Sequence, residues 1–109
     1  MPKDIVSQLA ATIRERRRSD GDVSYTQQLL SAGPERCARK FGEEAVETVI
    51  ASLGTDPKAL ASEAADVVFH LLVLLEVRGV SWSEVAQILE KRSSQSGLAE
   101  KAARTIVDK

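Results

Sequence analysis

Cysteine is almost absent from this chain: Cys37 is the only one in 109 residues. An intrachain disulfide is therefore excluded, as is any cysteine-rich zinc site. That usage suits a reducing compartment, and the expected location is the cytoplasm. Aromatic residues make up only 4%, and Ala, Leu and Val dominate the apolar set, which favours helix over sheet. Net charge is −1, so nothing draws the chain toward nucleic acid or an anionic membrane. The most apolar run, Val67 to Leu75, contains His70 and falls far short of the roughly 20 residues that span a bilayer. Pro2, Lys3 and Asp4 lead straight into an amphipathic pattern, so no signal peptide is expected. Internal repeats and low-complexity linkers are missing too.

What is present is an ordinary globular mixture, 43% hydrophobic and 28% charged, of a length that fits one domain over residues 1–109. A chain this short buries a modest fraction of its surface, and oligomerisation would help it. Ile5, Leu9 and Ile13 recur every fourth residue, which predicts a helix over about 3–18. Its basic end, Arg14, Arg16, Arg17 and Arg18, complements the helix dipole. A short helix over about 25–32 should end near Gly33, with Pro34 opening the next. That next helix, about 35–53, carries Val46, Val49, Ile50 and Leu53 on one face, which is expected to meet the core. Asp56 and Pro57 start a further helix that runs to about Arg78. "SWSE" at 81–84 is a capping box that opens a helix to about Arg92. The tail holds a loop and one last short helix. The expected class is all-α: a helical bundle around two long antiparallel helices.

Charge sits in an unexpected place on the first of these two helices. With Val46 as zero, Glu43, Glu47 and Glu44 fall at roughly 60°, 100° and 160°, on the flank of the apolar stripe. Arg36 and Lys40 share that arc, and Lys40 with Glu44 makes an i,i+4 pair worth a few tenths of a kcal/mol, about the value of a solvated flank. The second helix, "EAADVVFHLLVLLEV" at 63–77, is apolar nearly all round and should be buried on most sides. Yet Glu63, Asp66 and His70 interrupt it on one face. A hydrogen bond between Asp66 and His70 is the plain structural reading. An unpaired carboxylate there would cost several kcal/mol or take up a proton. Antiparallel packing would bring Glu43, Glu44 and Glu47 against Glu63 and Asp66, and repulsion among them is tolerable around bound metal. Oxygen ligands without cysteine select Mg²⁺, or Mn²⁺. Such a site can clamp a polyphosphate and activate water. Lys40, Arg36 and Arg39 are placed to neutralise phosphate.

The pattern EExxE then ExxD resembles the all-α nucleoside triphosphate pyrophosphohydrolases. Longer stretches narrow the likeness: "SYTQQLL" (24–30), "KFGEEAVETVIAS" (40–52), "EAADVVFHLLVLL" (63–75) and "RGVSWSEVAQILEKR" (78–92). Together they are similar to the phosphoribosyl-ATP pyrophosphohydrolases of histidine biosynthesis, over about residues 5–104. That resemblance implies Mg²⁺-dependent hydrolysis of 1-(5-phosphoribosyl)-ATP to 1-(5-phosphoribosyl)-AMP and pyrophosphate. It implies Glu44, Glu47, Glu63 and Asp66 as metal ligands. Glu43 and Glu47 are then the catalytic candidates, Glu43 as a further ligand or as the group that orients the attacking water. Lys40 and Arg36 are expected at phosphate, and His70 behind Asp66 rather than on the metal. Ser24, Tyr25 and Thr26 match a family segment that serves either as a substrate contact or as a helix start. Family members more often carry Tyr before the His, whereas Phe69 stands here.

Members fused to a cyclohydrolase need Cys and His zinc ligands that this chain lacks, so the stand-alone form is expected. So is a homodimer built around the helix of about 58–78, completing a four-helix bundle. House-cleaning pyrophosphohydrolases that act on dUTP or dCTP would share every metal ligand. A non-catalytic helical interaction module would leave Asp66 unexplained.

Overall fold

A computed structural model describes residues 4–19 and 24–94. Five α-helices account for nearly all of them: α1 (Ile5–Arg18), α2 (Tyr25–Ala32), α3 (Pro34–Ser52), α4 (Pro57–Val77) and α5 (Trp82–Ser93). No strand occurs among the described residues. The all-α expectation holds, with helix limits displaced by one or two residues. The short helix expected in the tail lies outside the described residues.

Each helix starts where a side chain can satisfy its free N–H groups. Asp4 accepts from the Ser7 amide at 2.8 Å, Ser24 from Gln27 at 3.1 Å and Asp56 from Lys58 at 3.0 Å. Ser81 and Glu84 form the reciprocal capping box, at 2.9 Å and 3.2 Å. The exception is α3, which has no side-chain cap and begins at Pro34, directly after Gly33. Gly33 has φ +96°, a conformation that side chains disfavour. Its N–H donates to the Leu30 carbonyl at 3.3 Å, and its own carbonyl accepts from Cys37 at 3.2 Å. One residue thus ends α2 and starts α3, fixing the angle between them.

The core is small. Ile13, Leu29, Leu30, Cys37, Leu72 and Val73 are buried together, drawn from α1, α2, α3 and α4. Cys37 is filler: its thiol donates to the Leu29 carbonyl at 3.2 Å, and burial pushes its pKa up, the opposite of a reactive thiolate. At the edge of the core, Arg17 donates to the Glu76 carboxylate at 3.0 Å and to the Glu76 carbonyl at 2.6 Å. Arg14 reaches the same carboxylate at 3.5 Å. These arginines tie α1 to the C-terminal end of α4, where cations favour the exposed carbonyls.

One expectation fails. Val46, Val49, Ile50 and Leu53 do not meet the core: they are 58%, 59%, 64% and 83% exposed. The face of α3 turned inward instead carries Cys37, Phe41, Glu44, Thr48 and Ala51, all buried or half-buried. Most of these lie roughly 140–200° from Val46 on the helical wheel. Ala45, Thr48 and Ala51 are small, so α4 can approach closely. The most apolar face of α3 therefore points away from the other described helices. The burial expected of α4 is also incomplete, since Asp66 and Val68 are exposed.

Among the described residues Ile13 is the largest fully buried side chain, packed where α1, α2 and α4 meet. Ile13→Ala should lower the free energy of unfolding by about 2–5 kcal/mol, read from the midpoint of a urea titration at fixed protein concentration.

Candidate metal centre

The centre lies in the seam between α3 and α4. Glu44 comes from α3, and Glu63 and Asp66 from successive turns of α4. One carboxylate oxygen from each lies within 4.8 Å of the others. Thr48 holds the register. Its hydroxyl is 2.9 Å from the Glu44 carbonyl and 3.1 Å from the Glu63 carbonyl, across the two helices. Glu44 thus sits opposite Asp66 and Thr48 opposite Glu63, which is antiparallel pairing. Thr48 carries no mark in the sequence that separates it from any helical threonine. Only the pairing of the helices reveals its part.

The other predicted residues surround this triad. Glu47 stands beside it, and of the charges acting on Glu63 it is the strongest, ahead of Asp66 and Glu44. Glu43, Glu47 and Glu63 line an open groove of about 790 Å³ with Gly42, Val46, Ile50 and Ala51. Lys40 lies at the end of the seam, its ammonium 3.5 Å from Glu43 and 3.7 Å from Glu44. Arg36 is exposed, two turns and about 12 Å along α3 from Glu44, and does not join the triad. Asp66 is exposed rather than buried, because the outer side of α4 is left open at that turn. The acids that lose water are instead Glu63, which is half-buried, and Glu44, whose side chain is 15% exposed.

Proton affinities follow from this placement. Burial, then the charges of Glu47, Asp66 and Glu44, push the Glu63 carboxyl above its ordinary value. Burial holds the His70 imidazole below its ordinary value, and Lys40 adds to this, while Glu44, Asp66 and Glu43 oppose it. The Lys40 ammonium is held above its ordinary value, first by Tyr25 and then by Glu43 and Glu44, against desolvation. His70 packs edge-on against Phe69 at 5.0 Å and Tyr25 at 6.1 Å, and of the acids near it Glu44 acts more strongly than Asp66.

Hard-cation chemistry fits these donors. They are all carboxylate oxygens, the donor type that Mg²⁺ and Mn²⁺ take, drawn together within 4.8 Å. Burial first and then anionic crowding raise the Glu63 pKa in the free chain, and the crowded charge is what a divalent cation would neutralise.

The family profile described as phosphoribosyl-ATP pyrophosphohydrolase matches residues 6–93. The chain belongs to that family. A phosphoribosyl-ATP pyrophosphatase of Nitrobacter hamburgensis is 53% identical over 104 residues, covering 95% of this chain and 97% of its own length. Phosphoribosyl-ATP pyrophosphatase 1 of Rhodopseudomonas palustris is 55% identical over 104 residues, with the same shares covered. One from Cereibacter sphaeroides is 53% identical over 100 residues, covering 92% of this chain and 97% of its own. The span matched to the family takes in all five acids, Lys40 and His70, so family likeness and candidate centre coincide.

Metal-free protein should show the crowding directly. Because the folded chain holds the Glu63 proton more tightly than an ordinary glutamate, the fold is penalised above that raised pKa and relieved as pH falls through it. Glu63→Gln should therefore raise the melting temperature at pH 7 in EDTA. The gain should shrink as pH drops toward the ordinary value of 4.5. Melting curves of both proteins at several pH values check this.

Proposed function

We propose that this chain hydrolyses 1-(5-phosphoribosyl)-ATP between its α and β phosphates, releasing 1-(5-phosphoribosyl)-AMP and pyrophosphate, as a step of histidine biosynthesis in the cytoplasm. The observation that carries the reading is the seam triad Glu44, Glu63 and Asp66, within 4.8 Å of one another, in a chain of this family. No helix among the described residues is long and apolar enough to cross a membrane.

In this reading Glu44, Glu47, Glu63 and Asp66 hold Mg²⁺, with Mn²⁺ as a substitute. A cation held there would supply charge neutralisation for the polyphosphate and a more acidic water. Glu43 and Glu47, on the wall of the groove, orient the attacking water and take its proton. Water adds to phosphorus, the bridging oxygen leaves with its electron pair, and the pyrophosphate departs with the added charge. Lys40 meets phosphate at the end of the seam, competing with its long contacts to Glu43 and Glu44. A neutral His70 stands behind the acids and adds no charge of its own. Most of the rate enhancement would come from fixed charge placement rather than covalent chemistry.

A homodimer belongs to the same reading, centred on α3 rather than α4. Its support is the outward stripe of Val46, Val49, Ile50 and Leu53, 58–83% exposed. Val46 and Ile50 also line the groove that holds Glu43, Glu47 and Glu63. A second copy seated on the stripe would complete a four-helix bundle and roof the groove.

Asp66→Asn and Glu47→Gln should each reduce turnover below a tenth of wild type while leaving the helical circular dichroism intact. Product analysis should find pyrophosphate and not orthophosphate, with kcat/KM for phosphoribosyl-ATP well above that for ATP, dUTP or dCTP. A preference for a simple nucleotide would replace the substrate assignment and leave the metal seam standing.

Ile50→Asp should convert a dimer to a monomer by light scattering at micromolar concentration and reduce activity with it. A monomeric, fully active wild type would refute the dimer.

A further inference from the structure

Gly42 stands well inside α3, which runs from Pro34 to Ser52. Glycine is among the least favourable residues for a helix interior. Three things can call for one there: a backbone angle that side chains disfavour, a neighbouring element too close for a Cβ, or a ligand that needs the space. The first does not apply, since among the described glycines positive φ occurs at Gly33 and Gly79. Nor does the second: a Cβ built at Gly42 has no described atom within 4 Å. What remains is a requirement from outside the packed helices.

The open space belongs to the groove beside the seam. Gly42, Val46 and Ile50 follow one another at steps of four, along one ridge of α3. All three line the groove of about 790 Å³, together with Ala51 and the acids Glu43, Glu47 and Glu63. The ridge is thus bare backbone at Gly42 and apolar side chain at Val46 and Ile50. Every charged residue that lines the groove is an acid, and the Lys40 ammonium is engaged by Glu43 and Glu44 at 3.5 Å and 3.7 Å. Phosphate oxygens are repelled from such a surface except where a cation bridges them to the seam. An uncharged flat ring meets no such penalty, and it gains by covering Val46 and Ile50. Over Gly42 it can approach the helix closer by the depth of a methyl group. Ionised carboxylates only accept hydrogen bonds, and the base of the proposed substrate carries a nitrogen donor for them.

We infer that Gly42 is a substrate-binding position: its missing side chain makes room for the adenine ring, which lies along the ridge over Gly42 and Val46 while the triphosphate turns toward the seam. This rests on the phosphoribosyl-ATP reading above. Helix stability is then given up for space at the site, a trade found where function and stability compete. Filling the space should move the two in opposite directions, which a merely structural glycine would not do.

Gly42→Ala adds one methyl group and Gly42→Leu a full side chain, and both residues favour a helix. Gly42→Ala should raise the melting temperature in EDTA. KM for phosphoribosyl-ATP should rise at least fivefold with Ala and at least twentyfold with Leu, with kcat within threefold of wild type. Product inhibition separates the parts of the substrate. The inhibition constant of 1-(5-phosphoribosyl)-AMP, which keeps the base, should rise by the same factor, and that of pyrophosphate should not change. An unchanged KM in both variants overturns the inference and leaves the proposed function intact. So does a pyrophosphate constant that rises in step with that of 1-(5-phosphoribosyl)-AMP, and so does a lower melting temperature for Gly42→Ala. A loss that disappears as protein concentration is raised, with monomer seen by light scattering, assigns the space to a second copy and overturns it too. A wild type that does not hydrolyse phosphoribosyl-ATP overturns the functional reading, and this inference with it.

Discussion

Everything in this structure depends on which face of α3 meets α4. The helix has two candidate faces, an apolar one bearing Val46, Val49, Ile50 and Leu53, and a mixed one bearing Glu44, Thr48 and Ala51. Within the chain the mixed face is turned inward. That choice puts Glu44 opposite Asp66, packs Thr48 against the Glu63 carbonyl at 3.1 Å, and concentrates negative charge in a seam that burial makes worse. Like charges so close are unfavourable in the free chain. Burial first, and then these like charges, hold the Glu63 carboxyl above its ordinary pKa.

The remaining helices hold the hairpin in this arrangement. α1 fills the space against α4 with Ile13 and fastens Glu76 through Arg14 and Arg17. α2 is joined to α3 through the single residue Gly33, whose positive φ allows a sharp turn. That turn brings Tyr25 over Phe69 and His70, and closes one end of the seam with an aromatic cluster. Favourable packing at this end therefore supports unfavourable charge in the middle, a division common at functional sites.

The other consequence is an apolar stripe facing outward beside a row of acids. Val46 and Ile50 lie in the same groove as Glu43, Glu47 and Glu63. Anything that covers the stripe also removes water from the acids, and removing water strengthens every electrostatic interaction between them and a bound cation. Covering the stripe and closing the site would therefore be one physical event, because the two surfaces share residues.

Much of this was legible in the sequence. Helix starts were readable because caps are local: Ser24, Asp56 and Ser81 each reach an amide two or three residues on. The acids were readable because spacings of three and four put Glu63 and Asp66 on one side of a helix, whatever the fold. What local pattern did not decide was orientation. A helical wheel ranks faces by apolarity, and on α3 that ranking pointed to Val46, whereas the closest approach to α4 requires the small side chains of Ala45, Thr48 and Ala51. The burial of Glu63 in place of Asp66, the role of Thr48, and the meeting of Tyr25 with Phe69 and His70 all follow from that choice. Each depends on contacts between residues far apart in the chain, and such contacts exist only once the helices have packed.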